Sequence, residues 1–464
     1  MYARQLEVLA GLIKRFKALL LAAAVLVGMV LVSREPAQAV PSFARQTGQP
    51  CAACHTAFPE LTPFGRNFKL SGYTLGGGDP KIPPLAAMLM PGFTHTAAAQ
   101  DAPPAPNLKT NDNLAVQQVT GLYAGKVYGD LGAFIQVSAN PVTKQVWFDG
   151  SDIRYVKNIS LFGKDGYIGL DVNNTPTIQD VWNTVGAWGF PQLSSGFAAN
   201  NVPGTHIDAL AQVVGGAGIY LWWNDILYAE LTGYRGYDRR TLEAFGMQPG
   251  PSPDAQEGTM PYWRLALEPH WGSHYLMIGT FGMYGETVPG SVFGAGTDQY
   301  LDIGVDSQYQ YDGDKYSATI KATDIYEKQR LNSSFAQGIS ANQNDWLNSF
   351  KINASYVLDH TYSLTGGYFN VQGSSDAGLW GATSVTDSPN GDGLIFDAAY
   401  LPFSKGAPGP DKQFNVRLGV QYVKYLHLYG GTNNFDGLIG TPGAGGTHNA
   451  SGNDTLFLYA WAAF

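Results

Sequence analysis

The chain has 464 residues, 44% of them hydrophobic and only 14% charged, with 57 Gly, 26 Tyr, 10 Trp and a formal net charge of −9. So acidic and sparsely charged a chain is poorly matched to nucleic acid, whose phosphates call for clustered Lys and Arg. With two cysteines in the whole length, a fold stapled by several disulfides is excluded.

Taken from the N-terminus, the first element reads as an export signal. Arg4, Lys14, Arg15 and Lys17 form a basic n-region, residues 18–32 are an uninterrupted apolar run, and Ala37-Gln38-Ala39 is a small-x-small cleavage site. The run falls short of the roughly twenty residues that a membrane-spanning helix needs. Cleavage after Ala39 is therefore expected, and the mature chain starts at Val40. Losing residues 1–39 removes five basic and two acidic groups from the chain of net charge −9, leaving −12.

Cys51-Ala52-Ala53-Cys54-His55 comes next and holds both cysteines. Two thiols three residues apart can reach the vinyl groups on one edge of a porphyrin, and the adjacent imidazole can bind its iron, which is the pattern of covalent haem c attachment. A structural disulfide and a dithiol redox pair are the alternatives. The histidine and the export signal favour haem, since c-type haem is attached outside the bacterial cytoplasm. Residues 40–80 are too few to bury a core alone, so the haem and a surrounding wall are expected to complete it. Phe43, Phe58, Leu61, Phe64 and Phe68 are available to cover the porphyrin, and Arg45, Arg66 and Lys69 to pair with its propionates. Residues 72–78 read as a flexible link.

From residue 81 to 464 the pattern is alternation of apolar and polar residues in segments separated by Gly, Asn, Asp and Pro. Strands are predicted at 85–96, 114–125, 128–138, 144–160, 167–177, 207–223, 225–236, 260–272, 274–287, 298–312, 315–331, 345–359, 361–374, 393–404, 413–429 and 454–464. The predicted fold is all-β: a porin-like antiparallel outer-membrane barrel of about 16 strands, its lumen plugged by the N-terminal haem segment. A soluble β-sandwich is the alternative, but the strands are too many for the usual two sheets. Several connectors after even-numbered strands are short and those after odd-numbered ones are mostly longer, which puts both termini on the periplasmic side. In the last strand Leu456, Leu458, Ala460, Ala462 and Phe464 share one face, and Phe457, Tyr459 and Trp461 the other. Either the aromatics face inward against something apolar, or a one-residue slip puts them in the interfacial girdle.

Residues 56–78 contain no Met or second His, so a sixth iron ligand must come from elsewhere. Met88 or Met90 in the first strand is the nearest, both falling on the face expected to line the lumen with Gly92, Thr94 and Thr96. His95 points outward unless Pro91-Gly92 resets the alternation. His206, His270, His274, His360, His427 and His448 show no recurrent ligand spacing, and no nucleophile triad or phosphate-binding loop is present.

The stretch PSFARQTGQPCAACHTAFPELTPFGRNFKL, residues 41–70, followed by a barrel-like remainder ending in Phe464, resembles the fused monohaem cytochrome c–porin family of outer-membrane proteins of iron-oxidising bacteria. The resemblance implies one covalent haem c on Cys51, Cys54 and His55. It further implies electron transfer from extracellular Fe(II) to a periplasmic c-type cytochrome, in enzyme terms an Fe(II):cytochrome c oxidoreductase. A diffusion porin whose haem segment is a plug or sensor is the alternative, and a haem enzyme acting on a small oxidant a weaker one.

Overall fold

The structure is a computed structural model that describes residues 37–38, 41–76, 83–198, 202–250, 252–406, 413–436 and 448–464. The basic and apolar parts of the export signal and the residues flanking the cleavage bond, Ala39 and Val40, lie outside the described residues.

Sixteen strands close into one antiparallel barrel: β1 (Leu85–Thr96), β2 (Asn113–Tyr128), β3 (Leu131–Asn140), β4 (Asp152–Leu161), β5 (Lys164–Asn173), β6 (Val214–Trp223), β7 (Leu227–Gly236), β8 (Met260–Leu267), β9 (His274–Val288), β10 (Asp298–Asp312), β11 (Tyr316–Arg330), β12 (Asn344–Leu358), β13 (Tyr362–Gly373), β14 (Gly391–Tyr400), β15 (Gln413–His427) and β16 (Thr455–Ala463). Each pairs with its neighbours in sequence, and β16 returns to β1 in the register Met88↔Ala463 and Gly92↔Tyr459. Closure leaves none of these sixteen strands as an edge. The β4–β5 connector is the two-residue turn Phe162-Gly163 with both residues left-handed, and Asp359-His360, left-handed too, open the three-residue connector from β12 to β13; such turns match strand twist.

The alternation is apolar outward and polar inward. In β10, Ile303 and Val305 are about half exposed on the outer wall while Asp302, Asp306, Gln308 and Gln310 are buried inside. Exposed Leu170, Ile219, Leu231, Leu265, Ile278, Ile320 and Leu364 extend that outer apolar surface around the wall, the arrangement hydrocarbon surroundings favour. Among the described residues no helix is long and apolar enough to cross a membrane.

All sixteen predicted strands find a counterpart, with three differences. The segment predicted at 144–160 breaks at residues 149–151, leaving a short arm, Gln145–Phe148, on the long-loop end of β3. The one predicted at 207–223 starts only at Val214, because His206–Ala209 forms a helical turn. After β5 the chain does not leave the barrel: residues 173–185 are all buried within the lumen.

The plug consists of helices α1 (Pro41–Thr47), α2 (Cys51–Cys54) and α3 (Pro63–Leu70). It sits toward the short-turn end, where the Ala52 amide donates to the Ser404 carbonyl at 2.9 Å and the His360 ring, in a short turn, lies 3.3 Å from the Thr56 carbonyl. Residues 72–76 are packed rather than a loose link. A Cβ at Gly132 would come within 2.0 Å of the Gly72 carbonyl, the Tyr73 hydroxyl donates to Asp152 at 2.5 Å, and the Gln46 amide binds the carbonyls of Tyr73 and Leu75. Residues 77–78 of that predicted link lie outside the described residues.

Candidate functional site

Pro50 precedes α2 in extended conformation and starts the single helical turn that carries Cys51 and Cys54. His55 follows in β conformation, its amide donating back to the Cys51 carbonyl at 2.9 Å, so the imidazole is turned away from the helix axis. Thr62 then caps α3 by accepting from the Gly65 amide at 3.1 Å, while its hydroxyl donates to the Ala53 carbonyl at 2.6 Å. Together these bonds clamp α3 against α2. The approach requires glycine at 65, where a Cβ would sit 2.1 Å from the Cys54 carbonyl oxygen.

Cys51, Cys54 and His55 open onto one shared cavity. Phe43, Phe58, Leu61, Phe68 and Tyr73 line it from the plug; Met88, Phe134 and Trp461 from the wall; and Ile178, Asn183 and Trp188 from the inward loop. The His55 Nδ1 lies 3.3 Å from the Pro59 carbonyl. A proton on Nδ1 makes that hydrogen bond and leaves Nε2 as the lone-pair nitrogen. Burial drives the His55 imidazole down to about 4, against smaller upward pulls from the Pro59 and Glu60 backbone, so it is neutral at ordinary pH. Burial, and secondarily the neighbouring Cys51, pushes the Cys54 thiol up to about 12.

This set fits a haem c. Two thiols, one neutral imidazole with its second nitrogen engaged, and an apolar aromatic lining are the parts such a group needs. Of the two methionines expected near the iron, Met88 lines the cavity and Met90, buried further along β1, does not. The bulge between β1 and β2 places its extra residue, Gln117, on β2, so β1 keeps its alternation through Pro91-Gly92. His95 accordingly faces out and pairs with Asp112 at 2.7 Å.

The inward aromatic face of β16 also belongs to this site. Phe457, Tyr459 and Trp461 are all buried, and the Trp461 ring packs edge-on against Phe58 at 4.6 Å. Phe64, by contrast, is 41% exposed on the far side of α3 and covers nothing in the cavity.

The three cations expected at propionates divide. Arg66 is engaged by Glu268 at 3.1 Å and by Gln310 at 2.6 Å, outside the cavity, and Arg45 reaches the Leu85 carbonyl. Only Lys69 lines the cavity, its ammonium donating to the carbonyls of Ile178 and Asp180 at 2.6 and 2.7 Å. Burial and the Arg154 charge lower it to about 8 despite nearby carboxylates.

Sequence reading missed the wall residues that hold the plug. Arg417, paired with Asp397 at 2.6 Å, donates to the Phe58 carbonyl at 2.6 Å, and Lys321 pairs with Glu60. A charged residue at an inward position of an otherwise apolar strand is the signal for such contacts. The inward loop was missed as well. Arg264 anchors it through Asp180 at 3.3 Å while pairing with Asp306 at 2.6 Å. Among the described residues no group of three or more His, Cys, Asp or Glu converges as a metal site.

The chain is similar in shape to solved outer-membrane proteins, at low identity. An anion-selective porin from Comamonas acidovorans is 11% identical, with 82% of this chain and 98% of that one covered and a TM-score of 0.46. The outer-membrane channel DcaP of Acinetobacter baumannii is 10% identical, covering 84% and 100%, with a TM-score of 0.42. OprB of Pseudomonas putida is 10% identical, covering 82% and 93%, with a TM-score of 0.43. No family model and no curated protein matches the chain.

Proposed function

We propose that this protein is an outer-membrane electron conduit, a barrel whose lumen holds one haem c on Cys51 and Cys54 with His55 as proximal and Met88 as distal iron ligand. The observation behind this reading is the convergence of those four residues, three from the plug and one from the wall, on a single aromatic cavity. Bound there, the group supplies reversible one-electron chemistry within a wall that soluble carriers do not cross. Phe58, Phe68 and Trp461 exclude water, Pro59 orients the imidazole, and Lys69 offers a positive charge. Thioether ligation raises the potential of a haem, which suits Fe(II) as the extracellular donor, and an acidic mature chain draws cations. The acceptor is a periplasmic c-type cytochrome. The outer apolar wall and the even strand count, with both termini on one side, support the outer membrane as its location. Mass spectrometry and anaerobic spectroscopy test the reading. Purified protein should carry one haem, lose a thioether in Cys51→Ala or Cys54→Ala, lose its low-spin spectrum in His55→Ala, and be reduced by Fe(II). A protein without covalent haem after expression with the c-maturation machinery ends the proposal.

A diffusion channel is the second reading, favoured by a second cavity on the long-loop side of the plug, bounded by the inward loop and by β12 to β15. Liposome swelling separates the two. Solute uptake through protein that retains its plug supports the channel, and no uptake together with a haem reducible by Fe(II) supports the conduit.

A further inference from the structure

The inward loop is a septum with two differently lined faces. Ile178, Asn183 and Trp188 look into the cavity beside His55, whereas Thr177, Gly186, Ala187, Phe190 and Pro191 line the larger cavity on the other side. That larger space is bounded by residues of β12, β13, β14 and β15 and reaches Thr455, at the long-loop end of β16. No plug residue lines this space, the vestibule.

Its lining carries two charges, Lys351 and Asp208. The Asp208 carboxylate accepts from the Thr205 hydroxyl at 3.3 Å. Lys351 projects from the middle of β12 and is exposed to the cavity, between Ser349 and Asn353 at the neighbouring inward positions of the same strand. These three side chains make no hydrogen bond or ion pair among the described residues. A hydroxyl, an ammonium and an amide therefore stand in a row, spaced two residues apart along a rigid strand and aimed into one space. Donors left unpaired around a cation in a confined cavity recognise an anion with several oxygens.

We propose that the vestibule binds a small polycarboxylate, with Lys351 as its anchoring charge and Ser349 and Asn353 as further donors, and that it accepts iron as the ferrous complex of that anion. The iron part rests on the conduit reading, and the anion part does not. Bound against Phe190 and Pro191, the complex lies across the septum from Trp188 and the cavity of Cys51, Cys54 and His55.

Isothermal titration of citrate, and of gallium citrate as a redox-inert stand-in, into full-length purified holoprotein in detergent tests the site. Binding should weaken about tenfold or more in Lys351→Gln, as expected for loss of one charge-assisted contact, and recover in Lys351→Arg. The bimolecular rate of haem reduction by ferrous citrate should fall by a similar factor in Lys351→Gln, with the rate for hydrated Fe(II) unaltered. No binding by the wild type, equal binding by Lys351→Gln, or equal affinity for inorganic phosphate and citrate overturns the assignment. If citrate binds through Lys351 but neither form of iron reduces the haem, the conduit reading falls and the anion site stands.

Discussion

The indole Nε1 of Trp461 donates to the Met88 sulfur at 3.3 Å, joining the last strand of the barrel to the first across the line where the wall closes. A thioether has lone pairs enough to accept that bond and still offer one to a metal. Met88→Leu should abolish the ferric near-infrared band of Met ligation, whereas Met90→Leu should keep it. A Met88→Leu protein that retains the band removes Met88 from the site.

Trp461→Phe tests the hydrogen bond separately. The ring still packs on Phe58, but the sulfur loses its donor and, under the proposed ligation, would become a better electron donor to iron. One neutral hydrogen bond of about 1 kcal/mol corresponds to a fall in one-electron potential on the order of 40 mV. Redox titration reads it directly, and an unchanged or raised potential contradicts the role.

Gly65→Ala should be among the most damaging small substitutions in the plug. The added methyl meets backbone at the Cys54 carbonyl, not a side chain that could rotate away. Forcing α3 off α2 should cost about 1–3 kcal/mol or more and lower covalent haem yield, measured as the ratio of haem to protein. Wild-type yield with an unshifted unfolding midpoint would count against the clamp.

Arg417→Ala strands Asp397 in a buried setting and removes the donor from the Phe58 carbonyl. Breaking such a pair from one side typically costs about 3–5 kcal/mol. The double variant Arg417→Met, Asp397→Leu should recover part of that loss, since no lone charge remains, although Phe58 stays unheld. Urea midpoints of the three proteins make the comparison. Equal stability of single and double variants excludes a charge-driven penalty.

His448 bridges two loops at the long-loop end, its ring nitrogens lying 2.5 Å from Asp436 and 3.1 Å from Asp101. Partial burial lowers its affinity for a proton, but the bonds to Asp101 and Asp436 outweigh it, and the net shift is upward. With the folded value above the unfolded one, the tie contributes fully below an unfolded value of about 6.5, and is lost as pH rises through the folded value. The effect on stability should be up to about 1 kcal/mol for so open a site. His448→Gln should flatten the pH dependence of the melting temperature across that window. An identical profile in the variant dismisses the bridge.

The barrel was legible in the sequence because its signals are local. Alternation repeats every two residues, turns are punctuated by residues such as Asn224-Asp225 and Asp359-His360, and the parity of β16 could be narrowed to two choices. Only packing against the plug decides between them, by placing Trp461 against Phe58. The CxxCH segment was legible for the same reason. The inward loop was not, since what holds Asp180 inside is Arg264 on a strand distant in sequence, and neither residue carries a local pattern. Arg66 shows the converse. Its charge was visible, but its partners Glu268 and Gln310 come from β8–β9 and β10 territory that no spacing connects to the plug.

Because Met88 and Trp461 lie on β1 and β16, the wall beside Cys51, Cys54 and His55 does not exist until those two strands pair. Thioether bonds would, under the proposed ligation, form on a segment still without that wall, and covalent attachment and distal coordination would be separate events in the life of the molecule. Under the proposed ligation, a high-spin species would mark chains awaiting insertion and a low-spin one those that have sealed. The prosthetic group would then act as a built-in clock for assembly, readable by colour without any added label.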